Sequence, residues 1–158
     1  MSLHFAYGSN MSRALMRARC PQAHALGTAA LRSWRYVISA NGYASIVPAP
    51  GCVVHGVLWR LSVRDRAALD LYEDVESGAY RRRTIPVAWE GRRVAALVYL
   101  ASAPEGLRPK PGYQDVVIEA ARDWGLPERY ISSIARCGGA RKIRERAAET
   151  GDATGDAT

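Results

Sequence analysis

The chain has 158 residues, 22 Lys and Arg against 15 Asp and Glu, and 48% hydrophobic residues. That length fits one domain able to bury a core without metal or disulfides, and no apolar run is long enough to span a bilayer. The N-terminus lacks a signal-peptide pattern, so the expected compartment is the cytoplasm.

Leu3, Phe5 and Tyr7 alternate as in a strand, and Gly8, Ser9 and Asn10 form a small-residue turn. A helix is predicted from about Ser12, with Met11, Leu15 and Met16 on one side. Such a turn leaves backbone N–H groups pointing outward, a site for a carboxylate or phosphate. Residues 28–31, 34–39 and 43–47 are strand candidates, with a tight turn at Asn41-Gly42. Residues 48–51 read as punctuation. Residues 52–61 follow as an apolar strand in which Gly56 marks a bulge or a close backbone approach.

Ser62 reads as an N-cap, with Asp65 completing a capping-box pattern, for a helix from Val63 to about Asp74. Residues 80–89 and 94–100 form a predicted hairpin turning at Glu90-Gly91, followed by a Pro- and Gly-rich loop over 103–112. A helix over 113–124 places Val116, Val117, Ala120, Ala121 and Trp124 at core spacing. Gly125 ends it, and Pro127 opens another helix running to about Cys137. Residues 1–140 make one expected domain. Residues 141–158, charged and then repeating Gly-Asp-Ala-Thr, make an expected disordered tail. Many strands with irregularly inserted helices indicate an α+β domain around a mixed, curved or closed β-barrel.

On a helical wheel Ala68, Leu71, Tyr72 and Val75 define the expected buried face. Leu69 and Glu73 flank it, and Asp70 and Asp74 turn toward water. Glu73 is the carboxylate best placed to be held partly dry and to act as a general base or acid. The alternative, a solvent-side glutamate in an acidic helix, is favoured by helix geometry alone. Ser9 lacks a nucleophile setting and fits a turn or anion contact better. Tyr80, Tyr99 and Tyr113 lie at element edges, open to core or ligand roles. The cysteines Cys20, Cys52 and Cys137 and the histidines His4, His24 and His55 show no metal-ligand spacing, so no metal is expected. The net charge of +7 fits either a nucleic-acid surface or solvated strand and helix faces. No recognition helix, RNA-binding aromatic signature or zinc finger accompanies it, so no nucleic-acid partner is expected.

Several segments, in order, resemble the gamma-glutamylcyclotransferase family, whose fold is shared with plant avirulence-induced gene 2-like proteins. They are Phe5-Ala6-Tyr7-Gly8-Ser9-Asn10-Met11, Arg19-Cys20-Pro21, Gly56-Val57-Leu58-Trp59, Leu69-Asp70, Glu73-Asp74-Val75, Ser77-Gly78-Ala79-Tyr80, Tyr99-Leu100, the Tyr113 helix, and Gly125-Leu126-Pro127 with Tyr130. The resemblance spans residues 5 to about 134. It implies a mixed β-barrel with flanking helices, Glu73 as the catalytic carboxylate, and a substrate-cradling loop of Ala6, Tyr7, Gly8, Ser9 and Asn10. It further implies substrate contacts from Tyr80, Tyr99 and Tyr113, and no metal or organic cofactor.

Asp74 departs from the pattern, standing where similar sequences often carry glycine. The Tyr-Gly-Ser-Asn loop is more similar to members acting on gamma-glutamyl amino acids than to glutathione-specific ones. The implied reaction closes a gamma-glutamyl compound to 5-oxoproline and releases its amine, with Glu73 moving the proton. The expected partner is that small molecule, with the protein a monomer or homodimer. Two other readings stay open, a binding protein of the same fold for a small acidic metabolite and a basic nucleic-acid binder.

Overall fold

The computed structural model describes residues 1–137; the expected tail over 141–158 lies outside the described residues. Five strands, β1 (Ser2–Ala6), β2 (His24–Ile38), β3 (Ala44–Leu61), β4 (Tyr80–Trp89) and β5 (Arg92–Ala101), close a barrel in the order β1-β3-β2-β4-β5. Neighbours pair antiparallel except β1 and β5, which run parallel through His4 and Leu97. The barrel is therefore mixed and closed, as the sequence predicts. Four helices flank it: α1 (Arg13–Arg19), α2 (Val63–Tyr72), α3 (Tyr113–Asp123) and α4 (Glu128–Ala135). Phe5, Leu31, Val54, Leu58 and Val98 are among the most buried core side chains.

The longest hairpin corrects the sequence reading. Residues 48–51 do not end the strand; the 18-residue β3 runs through them, and its pairing with the 15-residue β2 skips residues 49–52 opposite Ser33 and resumes at Val53. Pro48 pairs with Trp34 beside a register shift between Arg32 and Trp34, where a missing N–H is tolerated. The Asn41-Gly42 turn joins the two strands, with Gly42 at φ +87°. At Gly56 the close approach holds and the bulge does not. A Cβ there would lie 2.2 Å from the Ala6 carbonyl oxygen, while Gly56 pairs in register with Ala29.

Helix α2 begins as predicted, with Ser62 Oγ accepting from the Asp65 N–H at 3.1 Å. The wheel's buried face does not hold. Leu71 is 78% exposed and Tyr72 51% exposed, whereas Asp65 and Leu69 are buried. The helix stops at Tyr72, and Glu73 is its C-cap. The inward stripe is thus Asp65, Leu69 and Glu73, spaced by four residues, with a carboxylate at each end. In α3, Val117, Ala120 and Ala121 are buried as expected, but Val116 is 37% exposed. Trp124 Nε1 donates to the Met11 carbonyl at 2.7 Å, and Arg13 lies 3.6 Å over its ring. These contacts dock the end of α3 on the turn that follows β1.

Candidate active site

A cavity of about 670 Å³ opens beside the end of β1, and its wall includes Ala6, Tyr7, Gly8, Ser9, Asn10, Glu73, Tyr80, Tyr99 and Tyr113. Every site residue singled out in the sequence thus lines one space, although they span more than a hundred positions. The volume suits a small-molecule ligand.

The turn after β1 is a single 3-10 turn over Ser9–Met11, closed by Met11 N–H to Gly8 O and Ser12 N–H to Ser9 O, both 3.0 Å. Helix α1 starts separately, capped by the Ser12 hydroxyl, which accepts from the Leu15 N–H. Gly8 is needed for space: a Cβ there would lie 2.8 Å from the Tyr113 hydroxyl. Burial raises the pKa of Tyr113, and backbone hydrogen bonds at Ala44 and Ser9 oppose that rise.

Glu73 is partly buried, and Asn10 Nδ2 donates to its Oε1 at 3.1 Å. Burial pushes its carboxyl up to about 7, while the Arg19 charge and the Asn10 hydrogen bond pull in the opposite direction. Desolvation is the larger effect, so Glu73 exchanges a proton near neutral pH. The next residue, Asp74, has φ +51°, a left-handed conformation that aspartate tolerates better than most residues and glycine accepts freely. That conformation sharply turns the chain away from α2.

The tyrosines are fixed by main-chain and carboxylate acceptors. The Tyr7 hydroxyl donates to the Tyr99 carbonyl, and the Tyr80 hydroxyl donates to the Ala44 carbonyl at 2.9 Å. The Tyr99 hydroxyl donates to Asp70 Oδ1 at 2.7 Å, and Arg82 holds the other oxygen of that carboxylate at 3.0 Å. Asp70 therefore does not simply face water, as the wheel predicts; it anchors a cavity tyrosine. Burial raises the pKa of the cavity tyrosines Tyr7, Tyr80, Tyr99 and Tyr113, so each of these keeps its proton near neutrality.

The cavity also contains residues without a role in the sequence reading. His4 is buried, its Nδ1 bonds the Leu97 carbonyl at 3.1 Å, and burial lowers its pKa to about 4. Its ring is therefore neutral, and Nε2 has no protein partner. Tyr43 meets Tyr113 edge to face, with ring centroids 5.3 Å apart. Exposed Lys110 enters the wall because its backbone N–H bonds the Gly42 carbonyl at 2.9 Å. Only the Asn41-Gly42 turn signal foreshadowed that corner; a lone lysine in a loop carried none. Among the described residues, no group of three or more His, Cys, Asp or Glu side chains could hold a metal ion. No helix among them is long and apolar enough to cross a membrane.

Comparison with known proteins places this geometry. The profile of the AIG2-like family matches residues 53–134. The gamma-glutamylcyclotransferase of Mus musculus is 32% identical, over 84% of this chain and 76% of its own length. That of Homo sapiens is 30% identical over the same shares. A solved structure named gamma-glutamyl cyclotransferase superposes with a TM-score of 0.79 at 28% identity, covering 86% of this chain and 87% of its own. The chain belongs to the AIG2-like gamma-glutamylcyclotransferase family.

Proposed function

We propose that the protein is a gamma-glutamylcyclotransferase acting on gamma-glutamyl amino acids. The free α-amine of the substrate attacks its own gamma-carbonyl, the gamma-amide C–N bond breaks, and 5-oxoproline and the released amino acid leave. Attack is intramolecular, so much of the rate comes from holding a bent conformer. An α-amine has a reference pKa near 8 and is mostly ammonium at pH 7. Glu73 takes the excess proton from that nitrogen and returns a proton to the departing one. Ala6, Tyr7, Gly8, Ser9 and Asn10 cradle the glutamyl end, and the Tyr80, Tyr99 and Tyr113 side chains shape the opposite wall. Donors at the turn stabilise the α-carboxylate or the oxyanion formed during attack.

The observation that carries this reading is Glu73, a carboxyl pushed up to about 7 by burial in a cavity that it shares with the uncharged side chains of Asn10, Tyr7, Tyr80, Tyr99 and Tyr113. A site built only to bind an acidic metabolite gains nothing from a carboxylate placed there. The leaving group is assigned from the Tyr-Gly-Ser-Asn form of the loop. The functional unit is a monomer or homodimer that needs no cofactor. A panel of gamma-glutamyl amino acids, gamma-glutamylamines and glutathione, assayed for 5-oxoproline, tests the reading. Release from gamma-glutamyl amino acids in preference to the rest is expected. No release from any of them between pH 6 and 9 overturns it.

A further inference from the structure

Arg19, the last residue of α1, does not line the cavity, yet its guanidinium reaches three residues around it. Nη1 donates to Asn10 Oδ1 at 2.6 Å and to Ser9 Oγ at 3.1 Å. Nη2 donates to the Tyr72 hydroxyl at 2.5 Å, and the guanidinium lies 3.7 Å from the centroid of the Tyr72 ring. We infer that Arg19 is a positioning residue for the proposed reaction: it locks the Asn10 amide so that only the amide N–H faces Glu73, and it fastens the turn after β1 to the end of α2.

The lock follows from donor and acceptor inventory. A guanidinium has donors and no acceptor, so the Asn10 atom facing it must be the oxygen. The amide nitrogen then points away from Arg19, where it meets Glu73 Oε1. A flipped amide would set N–H against N–H on one side and oxygen against carboxylate on the other. With Oε1 held, proton traffic falls to Oε2, the Glu73 oxygen without a protein donor among the described residues. Tyr72 is the residue before Glu73, so the stacked guanidinium also fixes where α2 ends.

Arg19 acts on Glu73 through charge as well. Tyr7 from the end of β1, Tyr80 from β4, Tyr99 from β5 and Tyr113 from α3 all feel the Glu73 charge, and all are neutral hydroxyls. In the segment around Glu73, Asp70 is engaged by Arg82 and Tyr99, and Asp74 is exposed. Arg19 is the cation that favours the ionised carboxyl.

The inference rests on the cyclotransferase reading, and its test has one readout independent of turnover. Full-length parent, Arg19→Met and Arg19→Lys are compared by kcat/KM against pH and by ¹³C NMR titration of the Glu73 carboxyl without substrate. In Arg19→Met the titration midpoint should rise and the acidic limb of kcat/KM should follow it. A displacement of about one pH unit costs roughly tenfold in kcat/KM at pH 6 and little at pH 9. Arg19→Lys keeps the charge and a midpoint near that of the parent. It should still lose several-fold in kcat, because one ammonium cannot reproduce the fork that spans Asn10 and Tyr72. An unchanged midpoint and pH limb in Arg19→Met overturns the inference. So does parental kcat in Arg19→Lys, which also decides the matter if the Met variant does not fold. A parent that forms no 5-oxoproline overturns the cyclotransferase reading, and the titration still decides whether Arg19 governs Glu73.

Discussion

Asn10 and Glu73, 63 positions apart, meet through one 3.1 Å hydrogen bond from amide to carboxylate. The bond joins the turn that ends β1 to the cap that ends α2, so the two halves of the cavity wall depend on each other. Asn10 is buried and Glu73 partly so, which makes the bond stronger than its surface equivalent and its loss more costly.

Asn10→Ala removes the donor and leaves Glu73 with burial and no compensating hydrogen bond. The Glu73 carboxyl should then hold its proton to higher pH, and kcat at pH 7 should fall roughly tenfold, with partial recovery at pH 9. A kcat–pH profile checks this. A uniform loss of kcat at every pH would mean that Asn10 does not set the Glu73 titration.

Two buried groups should impose opposing pH dependences on stability. The folded pKa of Glu73 is raised from 4.5 to about 7, so its stabilising contribution is present below pH 4.5 and is lost as pH rises to 7. The folded pKa of His4 is lowered from 6.5 to about 4, so its contribution is present above pH 6.5 and is lost as pH falls to 4. Each is worth up to about 3 kcal/mol, and in the parent they largely cancel. Glu73→Gln should therefore melt at progressively lower temperature on acidification from pH 7 to 4.5, and His4→Gln at progressively higher temperature. Melting curves at pH steps read the slopes; identical slopes in parent and both variants would refute the assignment.

Two glycines should separate stability from function. Gly56→Ala drives a Cβ to 2.2 Å from the Ala6 carbonyl and 2.8 Å from the Phe5 ring, where backbone and core cannot yield. A loss of about 3 kcal/mol or more is expected, and Tm should fall on the order of 10 °C. Gly8→Ala meets the Tyr113 hydroxyl at 2.8 Å and the Ala44 Cβ at 3.2 Å. The tip of a side chain can move, so stability should change by no more than about 1 kcal/mol while kcat/KM falls roughly tenfold. Paired thermal and kinetic measurements decide this, and equal stability losses would remove the distinction.

Local signals in the sequence carried much of this architecture. Ser12 and Ser62 cap helices as their side chains dictate, Glu90-Gly91 turns the β4–β5 hairpin, and Gly56 marks a close approach. The inward face of α2 was not legible, because Val63, Leu69, Leu71 and Tyr72 spread apolar groups around the whole helix and two carboxylates sit on its buried side. Apolar spacing could not choose among them. Glu73 stood out as a candidate because it flanks the expected face, and it lies on the observed one. Arg19, His4 and Lys110 lie near or in the wall through contacts between distant segments, and no local pattern encodes such contacts. The long β2–β3 hairpin was hidden by Pro48 and Pro50, whose residues act as breakers in most strands and here lie beside an irregular register.

The most direct test of the account is the turnover of Glu73→Gln on the best gamma-glutamyl amino acid. Glutamine keeps the size of the side chain and an oxygen for Asn10, but it cannot take a proton from an ammonium. Turnover should fall by at least the roughly 10²–10⁴ associated with general acid–base catalysis, with KM changed no more than a few-fold. Turnover within a few-fold of the parent, in a variant that melts no lower at pH 8, would contradict the assignment of Glu73 as the proton carrier.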